Sequence, residues 1–417
     1  MTKAASEDIA NTPLDKIDVS QPDLFMQDTW QPWFARLRQE APVHYLSDSA
    51  NGPFWSVTSH RYIKEVDTNN EVFSSEAGGI SIVEPFAVEG QVQARNFIAM
   101  DEPEHAKQRR AVAPTVAPTN LAELEPLIRE RAADILDNLP VGETFNWVQE
   151  VSVELTARML ATILGFPYEE RHKLIHWSDI TTAVPQVTGD ASIDMERRYE
   201  ELMECAAAFY QLWESKAGQP PSFDLISMLQ HNPNTAKMHE DPELFLGNLL
   251  LLIVGGNDTT RNSISGGVIG LNQYPDEYRK LRENPALIPN MVAEMVRWQT
   301  PVIHMRRTAL QNYELGGQQI KQGDKVVMWY LSGNRDESVF EDPDRLIIDR
   351  PNARTHVAFG FGVHRCMGNR MAELQLRVLW EEIMKRFKNV EVVGDVERLP
   401  NNFIRGIKTV PVRVHAH

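Results

Sequence analysis

One loop of the sequence combines a cysteine with several glycines, and this combination could bind a metal through sulfur. The loop reads FGFGVHRCMG over residues 359–368. Gly360 and Gly362 can adopt positive φ, so the loop can fold tightly and direct backbone N–H groups at the sulfur of Cys366. A helix is predicted to begin beside Cys366, and its positive dipole end favours the thiolate over the thiol. We therefore predict that Cys366 is a metal ligand.

The rest of the sequence restricts which metal centre this thiolate could serve. The chain has 2 cysteines, Cys205 and Cys366, and no CxxC pair. Zinc and iron–sulfur sites need several ligands, whereas haem needs one axial thiolate, which favours O–O cleavage at the iron. Gly368 has no side chain where a flat ligand would lie. Cys205 stands in an apolar stretch and is predicted to be an inert buried thiol.

A second segment, LLLLIVGGNDTT over residues 249–260, reads as a buried helix with a polar end. Leu251, Gly255 and Thr259 are four residues apart and share one face. A glycine inside a helix costs about 1 kcal/mol relative to alanine, so a ligand that approaches Gly255 closely is expected to compensate. Asp258 and Thr259 then stand where an acid and an alcohol could relay protons through ordered water. By itself, the segment fits a polar break in a core helix equally well.

Four further residues are candidates for the haem propionates, which need cationic or hydrogen-bonding partners when partly buried. His105 and Arg109 are one helical turn apart, Arg307 begins the segment RTA, and His364 lies within the cysteine loop. Each of them alone could equally be a solvated surface residue.

These segments together resemble the cytochromes P450. The haem-binding signature of that family is FGxGxHxCxG, and residues 359–368 match it at every fixed position. The resemblance implies a haem b whose iron is bound by Cys366, molecular oxygen as co-substrate, and Asp258 and Thr259 as catalytic residues. Together, His105, Arg109, Arg307 and His364 match the propionate-binding positions of the family, so the resemblance favours propionate binding by these four. The residues expected to contact the haem are His105, Arg109, Gly255, Arg307, Phe359, His364, Cys366 and Gly368.

The resemblance also assigns a structural role to three charged residues. Glu294 and Arg297 form the ExxR motif of the family and are three residues apart on one face of a predicted helix. In the family this pair joins a buried network with a downstream arginine. Arg345, in the segment PDRL, stands at the matching place, although Leu346 replaces the usual phenylalanine there.

The family pattern indicates which segments line the substrate pocket, and in this sequence they are almost wholly apolar. Burial of apolar surface gains about 25 cal/mol per Å², so such a pocket should prefer hydrocarbon-like ligands. The predicted lining residues are Ile80, Ile82, Val83, Phe97, Ile98, Leu251, Val254, Val302, Ile303, Met305, Phe403 and Ile404.

Three further segments look similar to the soluble alkane terminal hydroxylases of bacteria. They are VGGNDTTRN at 254–262, RWQTP at 297–301 and HMRRTA at 304–309. The resemblance implies insertion of one atom of O2 into the terminal C–H bond of medium-chain n-alkanes. ω-Hydroxylation of fatty acids and hydroxylation of a terpene-like substrate stay open as alternatives. A non-catalytic haem-binding sensor is the alternative from a different class.

A P450 of this kind receives its electrons from other proteins. The resemblance implies a two-iron ferredoxin and its NADH-dependent reductase, since the chain shows no flavin or iron–sulfur module. Lys107, Arg110, Arg365, Arg370 and Arg377 flank the thiolate side in the family pattern. They are expected to form a basic docking face.

Composition excludes several other classes. A net charge of −16 argues against nucleic acid as a partner, because phosphate binding needs a basic face. Residues 1–21 lack the basic start and apolar run of a signal peptide, and the longest apolar run, 249–256, is too short for a membrane span. The 2 cysteines indicate a reducing compartment, so a cytoplasmic location is expected. We also expect a monomer without a membrane anchor.

The elements that must position these residues are mainly helices with small β-sheets. We expect one large P450 domain over residues 1–417, with a short polar segment at about 1–20. A β-hairpin is predicted from residues 313–320 and 325–330 around the turn 322–324. The clearest other candidates are strands at Val43–Leu46 and Phe54–Thr58 and helices at Leu121–Leu139, Val151–Leu164 and Gly368–Phe387.

Overall fold

Helices dominate the protein, whose residues 9–84, 92 and 94–417 are described in a computed structural model. The α-helices of these residues are α1 (Pro22–Met26), α2 (Gln31–Glu40), α3 (His60–Thr68), α4 (Glu104–Val112), α5 (Pro118–Asp137), α6 (Glu154–Leu164), α7 (Arg171–Thr182), α8 (Pro185–Thr188), α9 (Met195–Lys216), α10 (Leu225–His231), α11 (Pro242–Gln273), α12 (Pro275–Glu283), α13 (Ile288–Gln299), α14 (Tyr330–Gly333) and α15 (Asn369–Arg386).

Short strands form four small sheets in the same residues. The five-stranded sheet has the order β1-β2-β8-β5-β3, the three-stranded sheet has the order β4-β12-β9, and β6-β7 and β10-β11 are two-stranded. The predicted class, mainly α with small sheets, is therefore confirmed. The strands are β1 (Val43–Leu46), β2 (Phe54–Val57), β3 (Phe73–Ser74), β4 (Thr144–Asn146), β5 (Met305–Ala309), β6 (Tyr313–Leu315), β7 (Gln318–Ile320), β8 (Lys325–Met328), β9 (Phe387–Val392), β10 (Glu397–Arg398), β11 (Ile407–Thr409) and β12 (Pro411–Ala416).

The long helix α11 is the element around which the site is built. The Asp241 side chain caps its first turn by accepting a hydrogen bond from the Leu244 N–H at 3.1 Å, and Pro242 suits the first helical position. Pro275 disfavours a helical conformation at Tyr274, where α11 ends. Along its length α11 contacts α6, α7, α13 and α15. Although α11 is long and largely buried, no helix in the described part has the length and apolarity to cross a membrane.

One sequence prediction about the strands is wrong. The hairpin is closed within residues 313–320, where Gly316 and Gly317 have φ of 58° and 79° and connect β6 to β7. Strand β8 does not join it, because β8 pairs in parallel with β2 and antiparallel with β5. A pair of glycines at positive φ forms a tight two-residue hairpin turn, so the hairpin closes at Gly316-Gly317 and not at the later turn at 322–324.

Candidate active site

A cavity of about 720 Å³ lies between α11 and the cysteine loop. Its wall includes Cys366, Gly255 and Thr259, together with many apolar side chains. Ten of the 12 residues predicted to line a substrate pocket lie at this wall: Ile80, Val83, Phe97, Ile98, Leu251, Val254, Val302, Met305, Phe403 and Ile404.

The other two predicted lining residues, Ile82 and Ile303, lie elsewhere. Both are fully buried, in a cluster that includes Trp329. Successive residues of an extended chain point to opposite sides, so Ile303 faces away when Val302 faces the cavity. Their assignment to the pocket lining is therefore wrong.

The cysteine loop has the tight conformation that its glycines predict. Gly360 and Gly362 have φ of 64° and 65°, and a Cβ at Gly362 would collide with the Asp67 carbonyl oxygen. The Cys366 N–H donates to the Phe359 carbonyl oxygen at 2.7 Å, which closes the loop just before α15 begins. Only glycine satisfies both the positive φ and the close approach at residue 362.

Opposing effects act on the Cys366 thiol, which is enclosed by protein but faces the cavity. Burial is the largest effect and raises its pKa. Four groups lower the pKa of the thiol: a hydrogen bond from the backbone N–H of Gly368, the positive charges of Arg109 and Arg365, and a hydrogen bond from the backbone N–H of Asn369. The N–H groups thus favour the thiolate, as predicted, but they do not outweigh burial. A bound metal cation would supply the remaining stabilisation, because a coordinating thiol is deprotonated.

The cysteine loop is held by a buried carboxylate that the sequence analysis missed. Asp67, in the last turn of α3, accepts hydrogen bonds from the Phe361 N–H and the Tyr330 hydroxyl, both at 2.8 Å. It also pairs with the Arg307 guanidinium at 3.0 Å. Burial raises the pKa of Asp67, and these three donors oppose that effect. Arg307 lies at the cavity wall as predicted, but it shares its charge with Asp67.

Two histidines at the wall have ring nitrogens without a partner in the part of the chain that the structure describes. The rings of His105 and His364 are 4.1 Å apart. Nδ1 of His105 is 3.0 Å from a Glu102 carboxylate oxygen. Nε2 of His105 and Nδ1 of His364 are buried without a hydrogen-bond partner in the described residues. Burial, assisted by Arg307, His105 and Arg109, lowers the pKa of His364 to about 2.

These residues fit a haem. The unpartnered nitrogens of His105 and His364, with the guanidiniums of Arg109 and Arg307, are the donors that propionates require. Arg109 also donates to the Arg365 carbonyl oxygen at 2.5 Å, which ties α4 to the cysteine loop. A Cβ added at Gly255 or Gly368 would meet nothing within 4 Å, so both backbones leave room for a flat ligand. Phe359 also lies at the cavity wall.

The two predicted catalytic residues on α11 point in different directions. Thr259 lies at the cavity wall, and its hydroxyl donates to the Gly255 carbonyl oxygen at 2.9 Å. Asp258 is buried away from the cavity, and its carboxylate is 2.7 Å from Arg261, which in turn pairs with the exposed Asp179 at 2.5 Å. Burial raises the pKa of Asp258 to about 6, although Arg261 lowers it. The structure therefore does not bring Asp258 and Thr259 together at the cavity.

A buried ion network connects α13 to the segment before the cysteine loop. Glu294 and Arg297 are fully buried and 2.8 Å apart, and Arg350 binds the same carboxylate at 3.0 Å. Arg345 contributes its backbone carbonyl to Arg297, while its exposed side chain lies over the Tyr274 ring. The assignment of the Arg345 charge to this network is wrong, because the chain turns its carbonyl inward there. Arg350, five residues later, supplies the cation.

The predicted docking face is only partly free. Arg110, Arg365 and Arg370 are exposed and have no carboxylate partner in the described part of the chain. Lys107 and Arg377 are paired within the protein: Lys107 with Glu104 at 2.5 Å, and Arg377 with Glu125 and Glu381 at 2.6 and 2.8 Å.

Comparison with known proteins agrees with this site. The family model for Cytochrome P450 matches residues 194–413. Linalool 8-monooxygenase of Pseudomonas putida is 37% identical, over 96% of this chain and 99% of that protein. The chain therefore belongs to the cytochrome P450 family of haem-dependent monooxygenases.

Solved structures show similarity along nearly the whole chain. Cytochrome P450-153 from Novosphingobium aromaticivorans is 46% identical with a TM-score of 0.88, and the match covers 96% of this chain and 99% of that one. CYP153D17 from a Sphingomonas species is 48% identical with a TM-score of 0.91, over 96% and 100% of the two chains. The mainly helical P450 fold is thus common to all three proteins.

Proposed function

We propose that this P450 hydroxylates the terminal carbon of medium-chain n-alkanes. The observation that carries the proposal is the apolar wall of the cavity where α11 faces the cysteine loop. Leu251 and Val254 line it from α11, Val302 from the segment that leads into β5, Met305 from the start of β5, and Phe403 from the C-terminal turn. A hydrocarbon gains free energy by leaving water for such a wall, whereas a polar group would lose its hydrogen bonds there.

The chain's own residues divide the work of catalysis. Cys366 would hold the haem iron, and the bound haem supplies oxygen binding and activation under the influence of the thiolate. His105, Arg109, Arg307 and His364 would hold the propionates. The apolar wall orients the alkane and keeps water out, so that the end of the chain, with the strongest C–H bonds, is the part presented for reaction.

Proton delivery would begin at Asp258. With a pKa of about 6, its carboxyl group exchanges protons readily near neutral pH. Arg261 and Asp179 connect it to the surface, and Thr259, the next residue, reaches the cavity. A rotation that releases Asp258 from Arg261 would carry the proton toward the Thr259 hydroxyl. The Asp258–Arg261 ion pair would thus control the proton transfer, because it must break before Asp258 can turn toward Thr259.

The electrons for this reaction would come from NADH through a reductase and a two-iron ferredoxin. Arg110, Arg365 and Arg370 support a docking surface for an acidic ferredoxin, because their charges are not neutralised within the described residues. Charge reversal at Arg365 should slow ferredoxin-driven turnover and weaken its dependence on salt.

Two other substrates compete with alkanes. A terpene-like substrate is favoured by the similarity to linalool 8-monooxygenase. ω-Hydroxylation of fatty acids uses the same apolar wall but requires a place for the carboxylate. Both alternatives keep the haem, the thiolate and the acid on α11, so they differ from the proposal only in the substrate.

Product analysis with purified protein separates these possibilities. Octane, dodecanoic acid and linalool are incubated in parallel with a surrogate ferredoxin, its reductase and NADH. We expect 1-octanol as the main octane product. Preference for linalool, or 2- and 3-octanol in place of 1-octanol, would overturn the proposal, and substrate-induced spectral change without any product would indicate a sensor.

A further inference from the structure

One cationic residue at the cavity wall has no part in the site described above. Arg198 stands in the first turn of α9, is half-buried, and lies at the wall of the same cavity as Cys366 and Gly255. The other wall cations are accounted for, since Arg109 lies beside the cysteine loop and Arg307 pairs with Asp67. A charge that lies against a largely apolar cavity wall without a protein counter-charge needs an explanation.

The guanidinium of Arg198 is held in place by backbone. Nε donates to the Ile180 carbonyl oxygen at 3.0 Å, and Nη2 donates to the Thr181 carbonyl oxygen at 2.8 Å. Both carbonyls belong to the last turn of α7, the negative end of that helix. An arginine has five N–H donors in a rigid plane, so these two bonds fix the plane and leave Nη1 without a partner among the described residues.

No carboxylate of the described residues neutralises Arg198. Burial alone lowers its pKa, without an opposing contribution from any acid. The acid that shares this wall, Glu84, is 3.0 Å from Arg306 and 2.6 Å from Lys325, so its charge is already balanced. The neighbouring Arg197 differs, because it is 75% exposed and pairs with Glu201 at 3.0 Å.

The adjacent side chain adds a second donor at the same wall. The Tyr199 hydroxyl accepts a hydrogen bond from the Val92 N–H at 3.1 Å. Its own hydrogen has no acceptor among the described residues, and Tyr199 lines the cavity. The wall near Arg198 therefore offers donors and positive charge, whereas the wall near Leu251 and Val254 is apolar.

We propose that Arg198 forms a subsite for the carboxylate of a fatty acid, whose methyl end then lies toward Cys366. The proposal rests on terminal hydroxylation as the proposed function and adds chain carboxylates to its substrate class. A guanidinium binds a carboxylate through charge-assisted hydrogen bonds that a neutral alkane cannot form. Anchoring of the head group leaves the opposite end of the chain at the site of reaction, so the subsite and terminal attack are compatible.

The test compares a charged ligand with a neutral ligand of the same chain. Dodecanoate and methyl dodecanoate are titrated into the haem-loaded protein, and dissociation constants are read from the substrate-induced shift of the Soret band. Arg198→Gln should weaken dodecanoate about 10-fold, equivalent to about 1.4 kcal/mol, and leave the ester unchanged. Arg198→Lys should restore most of the affinity, and Arg197→Gln should change neither constant.

Other results would refute the subsite. If Arg198→Gln weakened the binding of both ligands equally, Arg198 would act only as a cap of α7. If dodecanoate binding were unchanged, Arg198 would have no role in binding the carboxylate. Melting temperature and the carbon monoxide spectrum of each variant show that it folds and holds haem. If the protein binds methyl dodecanoate but its affinity for dodecanoate does not depend on Arg198, the carboxylate subsite is refuted and the proposed terminal hydroxylation still stands. If neither ligand shifts the Soret band, terminal hydroxylation of chains fails as well.

Discussion

Replacement of Asp258 by asparagine should make the protein more stable and less active. Asp258 is buried in α11, and burial raises its pKa from 3.8 to about 6 even though Arg261 is 2.7 Å away. The protein therefore loses free energy by keeping an ionised carboxylate at this position. An amide of the same shape avoids that loss, while Asp179 still balances Arg261 at 2.5 Å. It cannot, however, donate a proton for oxygen chemistry.

The size and sign of the effect follow from the two pKa values. Because the folded value lies above the ordinary one, the contribution of Asp258 to stability is complete below about pH 4 and is lost as the pH rises through 6. A shift of the pKa by 1 corresponds to about 1.4 kcal/mol, so the free energy of unfolding falls by about 1.5 kcal/mol at pH 5 and by about 3 kcal/mol at pH 8. For a protein of this length, about 3 kcal/mol raises the melting temperature by roughly 3 °C.

The assay is thermal unfolding of wild type and Asp258→Asn at pH 5 and pH 8, followed by ferredoxin-driven turnover. The stabilisation should be larger at pH 8, and turnover should fall by about 10²-fold or more, as expected for loss of a general acid. Asp276→Asn is the matched control, since Asp276 forms an exposed pair with Arg279 at the same three-residue spacing. Surface pairs contribute about 0–1 kcal/mol, so this control should change little.

Two results would contradict the reasoning. The first is a variant Asp258→Asn that is no more stable than wild type at pH 8 and whose difference in stability from wild type is the same at pH 5. That result would mean that burial of Asp258 carries no electrostatic cost. Full turnover by Asp258→Asn would mean that protons reach the cavity by another route.

Further variants test the other parts of the site. Thr259→Ala should keep NADH and oxygen consumption but divert much of it to hydrogen peroxide, which a peroxide assay beside product analysis measures; unchanged coupling would exclude Thr259 from proton transfer. Arg350→Met should destabilise the protein by about 1.5–3 kcal/mol in denaturant unfolding, because it removes the charged hydrogen bonds that Arg350 makes to Glu294 and to the Glu341 and Asp342 carbonyl oxygens. Arg345→Met should change stability by less than about 0.5 kcal/mol, and a larger loss than at Arg350 would reverse our assignment.

The parts of the site that depend on short segments could be predicted from the sequence. The cysteine loop is one example, because positive φ at Gly360 and Gly362 and the position of Cys366 before α15 are local properties. The face of α11 that carries Leu251, Gly255 and Thr259 is another, since helical periodicity alone places these residues together at the cavity wall.

The parts that depend on tertiary contacts could not be predicted. Asp67 lies almost 300 residues before the loop that it holds, in a helix with no motif around it. Arg345 and Arg350 are both arginines in one irregular segment, and only the turn of the backbone decides which side chain reaches Glu294. Asp258 follows the periodicity of α11 away from the cavity, although its sequence neighbour Thr259 faces it.

The most direct test of the central claim is the conversion of octane under ¹⁸O2 with ferredoxin, reductase and NADH. A P450 that hydroxylates chain ends gives mainly 1-octanol whose oxygen is ¹⁸O, and the replacement Cys366→Ala abolishes the product. Alcohols hydroxylated mainly at internal carbons would contradict terminal attack, and 1-octanol without the label would contradict insertion of oxygen from O2.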